Sequence, residues 1–168
     1  MAPARKRTHW WGAGAPPHEE WRGVSIAIDA TWSTRTNRWE SDRGKYYFDV
    51  GAASNAVDFF PSCLVHHIGE FAGDRFTLRA DQDKLLTRPI FGWKRSADGL
   101  RRFRKVFAFC PKGWGKSPWG AGTGIYLARC DREAAAEVFA VAADRENART
   151  VHDNAKIMVE ASPHLADG

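Results

Sequence analysis

Between residues 55 and 69, Val57, Phe60, Leu64 and Ile68 recur every three or four positions. That spacing puts them on one face of a helix, with Pro61 marking a kink or a fresh start. The segment "GDRFTL" then leads into "RADQDKLLTR" (79–88), a short predicted helix stopped by Pro89. "IFGWKR" and "LRRFRKVFAF" follow, joined by "SADG". The Asp98-Gly99 pair suits a tight turn, so these runs predict a hairpin. Within the second run the pattern changes: Val106, Ala108 and Cys110 alternate with Phe107 and Phe109, so both faces of "VFAFC" are apolar. Such a pattern predicts a strand covered on both sides, as in a parallel sheet. A helix over 118–130 follows, with Pro118 in its first turn, where a missing N–H costs nothing. "EVFAVAA" (137–143) predicts a second buried strand, completing a right-handed β-α-β unit. A last helix begins after Asp144, with Ala148, Val151, Ala155, Met158 and Val159 on one face, and ends before Pro163. The fold class expected is α/β, with parallel strands in a P-loop NTPase-type β-α-β core that is incomplete and preceded by helices and a hairpin.

The first 45 residues have another character. "PARKRTHWWGAGAPPHEEW" mixes Pro, Gly, basic residues and Trp without periodicity, the pattern of an arm that is flexible or docked elsewhere. A short strand is expected over 24–32, where Ile26 and Ile28 alternate with smaller residues. Residues 1–45 are therefore set apart as a basic, Trp-rich arm, and 46–168 as the ordered domain.

Between the two runs with strand character and the helix lies "CPKGWGKSP", which concentrates the chain's candidate chemistry. Phosphates are held by converging backbone N–H groups at a helix start, where the aligned peptide dipoles favour negative charge. Glycine lets the backbone approach closely, a lysine reaches the outer phosphates, and a Ser or Thr hydroxyl holds magnesium. Gly113, Gly115, Lys116 and Ser117 supply those groups, and Lys112 lies inside the loop, where it can face phosphates. The full pattern, GxxxxGK(S/T), would have its first glycine at 110, where Cys110 stands. No acid occurs from residue 99 through 130, so Lys112 and Lys116 sit in a basic stretch with Arg101, Arg102, Arg104 and Lys105. Arg101 and Arg102 are read as solvated strand-edge charges.

Composition narrows the classes. A chain of 168 residues with 43% hydrophobic content can bury one core. The net charge of +5 is compatible with a polyanion partner without requiring one. Three cysteines, with no CxxC pair, argue against a disulfide scaffold. The start "MAPARKRTHWW" has no apolar run behind it and no stretch reaches bilayer length. A soluble protein of the cytoplasm, without membrane contact, is expected. Cys63, His66 and His67 form a small cluster that offers too few ligands for structural zinc. Cys110 reads as a small buried residue, not a nucleophile. The tryptophans gathered in the first 40 residues supply either an interaction surface or packing of the arm onto the domain.

The blocks "FTLRADQDKLL", "IFGWKRSADGLRRFRKVFAFCPKGWGKSP" and "EVFAVAADRENARTVHDNAKIMVEASPHL" resemble, in order and spacing, the ATPase domain of tailed-phage terminase large subunits. Members of that family are motors that pump viral DNA into capsids. The resemblance spans about residues 55 to 165. It implies that 111–117 is a deviant Walker A loop, with Lys112 as its extra basic residue. It also implies that Gln82 reads adenine, an amide being able to donate and accept at once; the plainer reading of Gln82 is a polar residue on an exposed helix face. ATP and Mg2+ are the implied cofactors, with Lys116 on the outer phosphates and Ser117 on the metal. Double-stranded DNA, other terminase subunits and the portal are the implied partners. Trp114 stands where many relatives carry a small polar residue, and is assigned to stacking on a base or neighbouring subunit, or to covering the loop. Asn147 stands where relatives often have glutamine. No apolar strand ending in Asp-Glu follows Ser117, so the hydrolytic acids of such motors are missing. The chain therefore reads as the front half of an ATPase, by fragmentation, splitting or truncation. A helicase-like ATPase fragment and a non-catalytic remnant that binds nucleotide, DNA or a partner are the alternatives.

Overall fold

A computed structural model describes residues 30–67, 69–131 and 135–165. Three short strands come first: β1 (Ala30–Ser33), β2 (Arg38–Ser41) and β3 (Tyr46–Phe48). Helix α1 (Val50–Cys63) follows at once, its N-terminus capped by Asp49, whose carboxylate accepts from the Ala52 amide at 2.9 Å. Ala53, Ala56, Phe59 and Phe60 bury one face of α1, at the spacing a helix needs. Pro61 lies inside its last turn, and the helix ends two residues later. Ile68, predicted on the same face, lies outside the described residues.

Helix α2 is π-helical over Gln82–Thr87 and α-helical over Arg88–Gly92. Pro89, the expected stop, is passed rather than obeyed. It falls at the start of the α-helical half, where the wide π turn ahead leaves room for its ring. β4 (Trp93–Arg95) continues directly, then turns through Asp98. The Gly99 amide donates to the Arg95 carbonyl at 2.8 Å, and Arg102 donates back to the Trp93 carbonyl at 2.8 Å. The predicted hairpin exists in this inner portion and stops there.

All four strands join one antiparallel sheet in the order β1-β2-β3-β4. The sheet thus takes in residues 30–45, which sequence reading groups with the arm. The N-terminal part of the expected 24–32 strand lies outside the described residues, as does the rest of the arm before residue 30. One sheet face buries Phe48 and Trp93, edge to face at 5.5 Å, against Ala53 of α1.

Two more helices, α3 (Lys116–Arg129) and α4 (Arg145–Glu160), complete the described elements. Asp144 caps α4 by accepting from the Asn147 amide at 2.8 Å, as its sequence predicts. The main core lies among the four helices and is built on Phe60, Leu64, Phe91, Ile125, Tyr126 and Met158. Gly122 is what allows α3 to lie so close to α1, since a Cβ there would stand 2.6 Å from the Phe60 ring and 2.9 Å from Leu64.

This architecture corrects the expected parallel β-α-β core. Neither 106–110 nor 137–143 is a strand, and the described strand pairings are all antiparallel. Phe107 and Phe109 are 90% and 95% exposed, and Phe139 and Val141 77% and 89%. A strand apolar on both sides needs cover on both sides. The described helices pack on one another and on the β1–β4 sheet, so among the described residues nothing gives either run that cover.

Candidate nucleotide site

The loop over 111–117 bends through two glycines, Gly113 at φ +82° and Gly115 at φ +86°. Both lie in the left-handed region that side chains disfavour. The Trp114 amide donates to the Pro111 carbonyl at 3.3 Å, and the Trp119 amide to the Gly115 carbonyl at 3.0 Å. The chain therefore turns on itself and enters α3 immediately after Gly115, which serves as N-cap without any capping side chain. Lys112 and Lys116 are exposed and Ser117 is half-buried in the first turn of α3. Pro118 stands in that turn, as predicted.

Gln82 meets the loop, but by an unexpected route. The residue is only 2% exposed. Its Oε1 accepts from the Arg79 amide at 3.1 Å, and its Nε2 donates to the Trp114 carbonyl at 3.1 Å. A Cβ on Gly115 would stand 3.2 Å from that same nitrogen. In this arrangement the amide grips the loop's main chain, and the exposed-face reading of Gln82 does not hold.

A second grip comes from Asp81, which sequence reading did not single out. Its Oδ2 accepts from the Trp114 indole N–H at 2.7 Å, its Oδ1 accepts from Arg79 Nε at 3.0 Å, and it caps the Gln82 amide at 3.1 Å. The Arg79 hydrogen bond is the main force holding this carboxyl below the usual aspartate range, with Trp114 adding to it and burial opposing. Thr87 carries the connection inward. Its hydroxyl donates to the Gln82 carbonyl at 3.0 Å and accepts from the Trp119 indole at 3.1 Å. Asp83 and Arg88 pair at 2.5 Å in the same buried region, where burial raises the Asp83 carboxyl against the pull of Arg88. The start of α2 is thus a clasp on the loop and on α3. The Arg79/Asp81 charge pair at two-residue spacing was visible in the sequence, whereas contacts across some thirty residues have no local signature.

The other candidates separate from the loop. Arg101 pairs with Asp131 at 2.7 Å, and Arg102 stacks 4.2 Å over the Tyr46 ring while donating to the Ser41 hydroxyl at 2.9 Å. Both were expected to be solvated; both instead brace the hairpin. His66 packs on Phe76 at 4.5 Å, and burial lowers its pKa and raises that of Cys63. Among the described residues no three His, Cys, Asp or Glu side chains gather as a metal site. No described helix is long and apolar enough to cross a membrane. A cleft of about 480 Å3 between α1, α3 and β4 is bordered by Asn55, Lys94 and Tyr126 and does not reach the loop.

Comparison with protein families, curated proteins and solved structures finds no match for this chain.

Proposed function

We propose that this chain binds ATP with Mg2+ at residues 111–117, as the nucleotide-binding part of a DNA-packaging motor of the terminase large-subunit type. In this reading Gly113 and Gly115 let the loop's amides approach the phosphates, Lys112 and Lys116 neutralise them, and Ser117 offers its hydroxyl to the metal. Gln82 and Asp81 position the loop. Double-stranded DNA, further terminase subunits and a portal are the partners, in the host cytoplasm.

One observation carries the nucleotide part: a loop held in left-handed turns runs straight into an α3 N-terminus that no side chain caps, with an exposed Lys116 beside it. Uncapped N–H groups and the helix dipole favour an anion there, and Lys116 fixes a charge at the same point. The donors belong to the loop and to α3, so the reading does not depend on a parallel sheet. The motor assignment is supported by the order and spacing of the sequence blocks.

Titration with a fluorescent ATP analogue and Mg2+ tests the site. Lys116→Ala is expected to weaken binding by about tenfold or more, the effect of removing one charge-assisted phosphate contact. Equal binding by the wild type and Lys116→Ala would remove the phosphate-loop reading.

A further inference from the structure

Two segments of this chain place large apolar side chains in water. Residues 105–112 read "KVFAFCPK" and residues 137–144 read "EVFAVAAD". Phe107, Phe109, Phe139 and Val141 are the most exposed large apolar residues described. Among the described residues, the main chain of 103–110 and of 137–143 makes no hydrogen bond to any other segment. Both runs are rich in the aromatic and β-branched residues that favour a pleated, paired backbone. Exposed apolar groups and unmet main-chain donors in one segment mark a surface awaiting a partner.

The two runs complement each other in charge and in shape. Each has the same length between its terminal charges, lysine at both ends of one and acid at both ends of the other. Laid antiparallel, Lys105 faces Asp144 and Lys112 faces Glu137. In that register every large side chain meets a small one: Phe107 and Phe109 face Ala142 and Ala140, and Phe139 faces Cys110. Pro111 falls next to the end of its run, where a missing N–H is tolerated. The parallel alternative would set Phe107 against Phe139 and leave the alanines facing each other.

We infer that this chain forms a twofold homodimer in which residues 105–112 of one copy pair antiparallel with residues 137–144 of the other. Among the described residues of one copy the two runs lie unpaired, yet each copy carries both. A twofold axis therefore satisfies both at once and closes the assembly. The pairing covers the exposed phenylalanines and supplies the missing main-chain partners by strand addition. Its basis is these two runs; Lys112 is shared with the proposed nucleotide loop, and the pairing is therefore tested without nucleotide.

Sedimentation of the full chain without nucleotide tests the pairing. The wild type is expected to be dimeric. Phe107→Asp and Phe139→Asp each remove a solvent-facing side chain. They are expected to raise the dimer dissociation constant on the order of thirtyfold or more, with the urea midpoint of the diluted monomer unchanged. Lys112→Glu and Glu137→Lys each place like charges opposite one another, and are expected to weaken self-association by about tenfold. An equimolar mixture of those two reversed chains restores the dimer, because each copy then meets an opposite charge. A monomeric wild type, a dimer indifferent to Phe107→Asp, or a mixture that stays monomeric overturns the inference. A monomer whose urea midpoint falls in both Phe→Asp variants also overturns it, by assigning the pairing to a single chain.

Discussion

Beside the Gln82 grip on its main chain, the loop is held by one hydrogen bond between side chains 33 residues apart, from the Trp114 indole to Asp81. The indole could have been left to water; instead its N–H ends on a carboxylate that Arg79 already holds ionised. The folded state therefore depresses this pKa. Its contribution to stability is complete above the unfolded aspartate pKa and is lost as pH falls through the lower folded value. The hydrogen bond from Trp114 to Asp81 is thus favoured at neutral pH and weakens as Asp81 protonates in acid. Trp114→Phe keeps a ring but removes the donor. An NMR titration of the Asp81 carboxyl is expected to give a midpoint below the ordinary aspartate value in the wild type. That midpoint should rise in Trp114→Phe and rise further in Arg79→Ala, since Arg79 is the larger cause. A midpoint unmoved by Trp114→Phe would show that the indole exerts no hold on the loop.

At the scale of elements, the legible signals were local. Asp144 as a cap, Pro118 in a first turn, and Asp98-Gly99 as the hairpin turn each involve neighbours within a few residues, and each stands as expected. Pro89 misled because a proline stop assumes a regular α turn before it, and the turn here is π-helical. The glycines of α3 could not be ranked from sequence, since what matters is the neighbour each one faces. Gly122 lies against Phe60 and Leu64, whereas a Cβ on Gly120 would meet nothing within 4 Å. Gly120→Ala is accordingly expected to stabilise by about 0.4–1 kcal/mol, by restricting the unfolded chain and improving helix propensity. Gly122→Ala gains the same propensity but forces two core side chains aside, for a net loss of about 1 to 2 kcal/mol. Urea unfolding of the pair decides the matter, and equal shifts in both variants would mean that α1 and α3 are not so close.

For the whole molecule, the apolar alternation of 106–110 and 137–143 was read as burial, and the described structure leaves both runs exposed. Periodicity reports that a face needs cover; it does not report which element supplies it, or from which chain. The same distinction applies to catalysis. In the proposed reading the loop and α3 would offer main-chain donors and lysines to a triphosphate, and such a site binds without cleaving. Cleavage needs a further carboxylate or equivalent group to orient water. The carboxylate that reaches the loop, Asp81, accepts from both Arg79 and Trp114 and is held ionised by them, so it is engaged in positioning. The chain alone is therefore expected to bind ATP yet release phosphate at close to the uncatalysed rate, with Asp81→Asn making no difference to that rate. Phosphate release measured on the pure chain checks this, with Lys116→Ala as the control. Turnover of about 1 per second or faster, the ordinary range of enzymes, would show that the chain supplies a water-activating group of its own, and a fall in that rate on Asp81→Asn would place it at the clasp.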